Sequence, residues 1–233
     1  MSDAMKSGPK TLISRRALFG AGAAGLAGTG LLTFSLGPAA RAQKGRQGPQ
    51  EVALDELLKP GELPELALGS SDAKVVIVEY ASMTCGHCAN FHTKVFPELK
   101  EKYIDTGKVR FILREFPLEN LAAAASMLAR CAGGEKTFSL VGVLFERQAE
   151  WVIRGNPVPR LFEIAKQAGF TQESFDKCLT DQKLLEQISA VRTRANEKFG
   201  VNSTPTFFIN GKRLSGGSTI GDFDQAIEPL LKS

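Results

Sequence analysis

The sequence predicts an α/β fold in which a βαβ half and a ββα half share one sheet, with an all-helical segment inserted between them. Three observations lead there. Lys74 to Tyr80 is a continuous apolar, β-branched run, Ala89 to Tyr103 is helix-like, and Val109 to Glu115 is again strand-like, which makes one βαβ unit. From about Glu119 to Phe199 the pattern is helical almost throughout. Strand character then returns at Thr206 to Ile209, followed by the turn signal Asn210-Gly211, a second short strand from Lys212 to Leu214, and an amphipathic helix from Asp222 to Leu231. With 233 residues, 43% hydrophobic and 23% charged, the chain is long enough for one sizeable core.

The first 42 residues read as an export signal peptide. Arg15-Arg16 precede an uncharged, glycine- and alanine-rich stretch from Ala17 to Ala40, which ends in the small-residue site Ala40-Arg41-Ala42, with Gln43 as the expected mature start. The segment Ser14 to Phe19 is similar to a twin-arginine signal, and the general secretory route is also open to it. An uncleaved membrane anchor is the alternative, because the uncharged stretch is long enough to span a bilayer. This leader also carries the whole net charge of +4: beyond it, 24 basic residues balance 24 acidic ones, which leaves no charge-based argument for nucleic-acid binding. The mature chain divides into an arm over residues 43–66, polar at first and then helical near Val52 to Leu58, and a domain over 67–233 with its helical insertion at about 119–199.

Each element of the domain has its own justification. Lys74 to Tyr80 suits a central strand covered on both faces, with Glu79 as the odd residue out. Phe91, Val95 and Leu99 form an apolar stripe on the next helix, which Pro97 should kink. In the insertion, Leu184, Ile188, Val191, Ala195 and Phe199 mark one face of a long helix, with Asp181 as its N-cap and Gly200 as its stop. Trp151 reads as a core residue and His92 as an exposed helix residue.

Cys85-Gly86-His87-Cys88 lies between the central strand and this helix. Two cysteines with two residues between them can close a small disulfide ring across the first turn of a helix. The helix N-terminus there offers unpaired N–H groups and about half a positive charge to the Cys85 sulfur, which favours a thiolate. In an exported chain the other two cysteines, Cys131 and Cys178, are left for each other, as a bridge between two helices or as two buried free thiols. Separations of 43 and 47 residues between the cysteine groups do not fit a paired-knuckle zinc site, so no metal is expected. Glu79, if buried, is placed either to relay protons to Cys88 or to pair with a base such as Arg114.

Cys85-Gly86-His87-Cys88 after a strand, a helical insertion, and Thr204-Pro205 before a hairpin together resemble the DsbA family of periplasmic thiol oxidoreductases, built on the thioredoxin fold. The resemblance covers about Leu66 to the C-terminus. It implies a cis-proline at Pro205 beside the dithiol, with Thr204 presenting its backbone to an extended substrate peptide, and it aligns Glu79 with the family's acidic residue six positions before the first cysteine. His87 would help to stabilise the Cys85 thiolate. The implied activity is donation of the Cys85–Cys88 disulfide to reduced exported proteins through a mixed disulfide at Cys85, with no cofactor beyond the redox-active disulfide. The implied partner is a quinone-linked membrane reoxidant of the DsbB type. A periplasmic isomerase or reductase on the same frame is the alternative, since Gly86-His87 and Thr204 also occur in such relatives. A peptide-binding or chaperone module would have no use for a reactive dithiol. The short arm gives no room for an oligomerisation domain, and a monomer is expected.

Overall fold

The computed structural model describes residues 48–232. The export signal expected over residues 1–42, and the start of the arm, lie outside the described residues. The elements run α1 (Leu54–Leu58), β1 (Leu66–Leu68), β2 (Val75–Ala81), α2 (Gly86–Asn90), α3 (Phe96–Leu99), β3 (Val109–Glu115), α4 (Asn120–Ala132), α5 (Lys136–Glu146), α6 (Gln148–Trp151), α7 (Val158–Gln167), α8 (Gln172–Leu179), α9 (Gln182–Phe199), β4 (Thr206–Ile209), β5 (Lys212–Arg213) and α10 (Ile220–Lys232). One mixed sheet has the order β1-β3-β2-β4-β5, in which β2 is parallel to β3 and antiparallel to β4.

The period of two along β2 sorts its side chains between two cores. Ile77 and Ala81, with Phe111, Leu113, Phe207 and Ile209 from the neighbouring strands, pack against Cys88, Phe91, Leu99 and Phe223. Val78 and Tyr80, with Ile112 and Phe208, pack on the opposite face against Leu57, Ala195 and Phe199. Glu79 has the same parity as Ile77 and Ala81, so this carboxyl belongs to the face that carries α2.

Helix α2 continues through a wide turn, Phe91–Val95, into α3, and through a second wide turn, Lys100–Ile104. Pro97 sits at the start of α3, where its missing N–H and its ring disfavour an ordinary α-turn onto the preceding residues. The predicted kink therefore takes the form of widened turns rather than a break. Asp181 caps α9 by accepting from Leu184 N at 3.0 Å, and Gly200 ends the helix at φ 63°.

Two features differ from the sequence expectation. Strand β1 was not anticipated, because Leu66–Leu68 is only three residues long and half-buried throughout, too short to show a period. The arm, which the sequence reads only as polar at first, is fastened from Gln50 onward: Arg213 N donates to Gln50 O (2.8 Å) and Val52 N to Gly211 O (2.9 Å), covering the β5 edge. Arg114 donates to Leu57 O at 2.7 Å, and Arg194 to Glu56 O and Lys59 O at 2.6 and 2.7 Å, which ties down α1 and the residue after it.

Cys131 at the end of α4 and Cys178 in α8 form a disulfide with a Cα–Cα distance of 6.2 Å. Trp151 is fully buried and donates from Nε1 to Leu144 O at 2.8 Å. On the chain-entropy argument, a bridge that closes so long a loop is worth roughly 4 kcal/mol. The double variant Cys131→Ser/Cys178→Ser should therefore lose about 2–4 kcal/mol of unfolding free energy in denaturant titrations. Its Cys85 reactivity should stay unchanged, because no element of the dithiol turn contains either residue.

Candidate active site

The dithiol turn is built where the central strand ends. Cys85 is the N-cap of α2 in an extended conformation, and its carbonyl accepts from Ala89 N at 3.0 Å. Its own N–H donates to Ser82 O at 3.1 Å, which folds the segment after β2 back on itself. Being the cap leaves the Cys85 sulfur half-exposed, while Cys88, one helical turn on, points inward and is fully buried. Both cysteines are reduced in this structure.

On the other side of the sulfur stands the segment that enters β4. The Thr204–Pro205 peptide bond is cis, and Cys85 Sγ lies 3.3 Å from Thr204 O, to which the sulfur donates only in its protonated form. The Thr204 hydroxyl is buried without a hydrogen-bond partner, so it remains available to a sulfur that has lost its proton.

The two thiols are driven in opposite directions. A hydrogen bond from Cys88 lowers Cys85 to about 5; burial opposes this, and contact with Thr204 and the backbone N–H groups of Cys88 and His87 reinforce it. At pH 7 such a group is about 99% ionised. Burial raises Cys88 far above the ordinary thiol range, and the hydrogen bond to Cys85 and the charge of Glu79 add to that. The turn thus holds one thiolate and one thiol, the first reachable from solvent and the second not. His87 is exposed, and it acts on the Cys85 thiolate through its backbone N–H.

Glu79 is completely buried beneath the turn, and its partner differs from the expected base. Arg114 is committed elsewhere, to Glu65 (3.0 Å), Tyr80 Oη (3.0 Å) and Leu57 O. Glu79 Oε2 instead pairs with His92 Nε2 at 2.8 Å, while Oε1 has no hydrogen-bond partner. His92, expected to be exposed, has a side chain only 4% accessible, and its ring stacks on Phe145 at 4.3 Å. The wide turn Phe91–Val95 carries it inward, an effect that the sequence periodicity does not reveal.

Gln148 is a second residue that the sequence did not single out. Its Nε2 donates to Met83 O (2.8 Å) and Cys85 O (3.1 Å), so the N-terminus of α6 braces the dithiol loop. A lone glutamine in a helical insertion carries no signal of this. Among the described residues, no group of three or more His, Cys, Asp or Glu is placed to hold a metal ion.

A reactive N-cap cysteine, a buried second cysteine and a cis-proline whose preceding carbonyl meets the first sulfur beside the central strand define a thioredoxin-fold dithiol protein. A thioredoxin family profile matches residues 62–229. The crystal structure of Wolbachia pipientis alpha-DsbA1 superposes with a TM-score of 0.71 at 34% identity, over 78% of this chain and 96% of that one. A protein of Rickettsia bellii named as a protein-disulfide oxidoreductase is 38% identical over 168 residues, 70% of this chain and 65% of its own length. A Rickettsia felis protein of the same name is 33% identical over 72% of this chain and 60% of its own length. The chain therefore spans less than two thirds of the length of these two curated relatives. It belongs to the thioredoxin family, in the DsbA-like branch.

Alkylation of the reduced protein should follow the ionisation of Cys85, with a midpoint near pH 5, while Cys88 stays unmodified until the protein is unfolded. The stability of the reduced form should carry the same signature. The folded value of Cys85 lies below the unfolded one, so the thiolate's contribution is complete above about pH 9 and disappears as the pH falls to about 5. Denaturant titrations of reduced protein against Cys85→Ser should show the gap between them closing across that window.

Proposed function

We propose that this chain is an exported thiol:disulfide oxidoreductase that donates its Cys85–Cys88 disulfide to reduced cysteines of other exported proteins. The observation that supports this most is the contrast between the two sulfurs. A substrate thiolate attacks Cys85 Sγ, the Cys85–Cys88 bond breaks, and Cys88 leaves and takes up a proton. A second substrate thiolate then attacks the mixed disulfide at its substrate sulfur. The substrate disulfide forms, and Cys85 leaves as a thiolate that needs no proton. Stabilising that thiolate favours the reduced enzyme, which makes the disulfide oxidising.

Thr204 and Pro205 would line the place where an extended substrate peptide meets Cys85 by backbone pairing, which is weakly selective for sequence and suits many substrates. The leader over residues 1–42 directs the chain to the periplasm in this reading, where disulfides persist. There a quinone-linked membrane protein of the DsbB type would reoxidise the monomeric enzyme. No helix among the described residues is long and apolar enough to cross a membrane. The threonine before the cis-proline keeps a second reading in view, an isomerase or reductase.

The redox equilibrium of residues 43–233 against glutathione, with thiols counted by mass, separates the two readings. An oxidising potential, above that of the glutathione pool, is expected for Cys85–Cys88. A potential near that of thioredoxin, roughly −270 mV, would make the protein an electron donor and refute the oxidase reading. In addition, Glu79→Gln should slow turnover of a reduced peptide at least tenfold while leaving the circular dichroism spectrum unchanged, and an unchanged rate would remove Glu79 from the reaction.

A further inference from the structure

The proposed reaction leaves one proton to be managed, that of Cys88, and bulk water does not reach this sulfur. Glu79 is the buried charge that acts on it. A carboxylate with no solvent exposure needs a fixed counter-group, or it takes up a proton and holds it. His92 is that group here. It lies four residues beyond Cys88 on the same helical stretch, donates to or accepts from Glu79 Oε2 at 2.8 Å, and leaves Oε1 as the one oxygen without a hydrogen-bond partner. The ring is held in place by Phe145 in α5, with Phe91, Phe96 and Phe111 around it from the wide turn, α3 and β3. Cys88 is a titratable group on which the Glu79 carboxyl acts, and four aromatic rings lie around the imidazole.

We propose that His92 is a positioning residue for the Cys88 half-reaction, which fixes the Glu79 carboxyl through Oε2 and shares one proton with it, so that Oε1 can accept and return the proton of Cys88. When the disulfide opens, the pair gives a proton to the departing Cys88 sulfur. When the disulfide closes, Cys88 attacks the Cys85 sulfur of a mixed disulfide, its proton passes to Glu79, and the partner thiolate leaves. Cys85 needs no such service, because it enters and leaves as a thiolate. The inference rests on the dithiol reading of Cys85 and Cys88, but not on whether the protein works as an oxidase or a reductase.

The test uses reduced full-length protein and oxidised glutathione, with acid quenching and mass analysis. In the first step the Cys85 thiolate attacks glutathione disulfide, giving the mixed disulfide and one glutathione thiolate. In the second step Cys88 closes the ring and releases the other glutathione. His92→Phe keeps the ring stack and removes the bond to Glu79, and His92→Gln keeps a donor but cannot titrate. Both should form the mixed disulfide at the wild-type rate and close it about ten- to a hundredfold more slowly, so that the glutathionylated species accumulates. Their closing step should also shift to higher pH, while the alkylation midpoint of Cys85 stays where it is. In a Glu79→Gln background, His92→Phe should add no further slowing.

Three results would overturn the proposal: closing at the wild-type rate in both variants, slowing that adds to that of Glu79→Gln, or failure of both variants to fold. If wild-type protein forms neither the mixed disulfide nor the closed ring, the dithiol reading itself fails, an outcome separate from any difference between His92 variants.

Discussion

The hydrogen bond between the two sulfurs at the start of α2 is the interaction on which the site depends. It stabilises charge on Cys85 and opposes charge on Cys88, so one contact gives the two cysteines different chemistry. Its effect requires that one sulfur be half-exposed and the other buried, which the helix supplies through geometry: the N-cap side chain stands outside the first turn and the residue three positions on faces the core. The N–H groups of the same turn then add to the thiolate side of the balance.

Burial is the second half of this arrangement, and it comes from the sheet. Because Glu79 shares the parity of Ile77 and Ala81, the central strand carries one ionisable group into the core that covers α2. A carboxyl in that position costs stability unless it is paired. His92 meets one of its oxygens, and the aromatic cluster around His92 keeps solvent away from both. The unpartnered second oxygen is an unsatisfied group of the kind that native cores keep only with some compensation, and a proton moving to and from Cys88 supplies one in the proposed reaction.

The other elements hold the dithiol loop against the cis-proline segment. Gln148 braces the loop through two carbonyl groups, and Thr204 O approaches the sulfur from the β4 side. The helical insertion is therefore more than a cover for the sheet, since its α6 contributes the brace and its α5 the stacking ring of Phe145. On the far face, Arg114 and Arg194 clasp the arm, which closes the β5 edge and leaves the sheet with no long unpaired strand on that side.

The sequence alone determined the features that depend on local pattern. The run from Lys74 to Tyr80 specified a buried central strand, Asp181 and Gly200 bounded α9, Asn210-Gly211 set the hairpin, and the cysteine spacing before a helix marked the dithiol. These are legible because each rests on residues within a turn or two of one another. What only the tertiary structure decided are the partnerships made across the fold: Glu79 with His92 rather than Arg114, Gln148 with the loop carbonyl groups, and the three-residue β1 with β3. Each is a contact between segments that are distant in sequence or brought together by an irregular turn, and the wide turn before Pro97 that carries His92 inward breaks the very periodicity from which an exposed position was inferred.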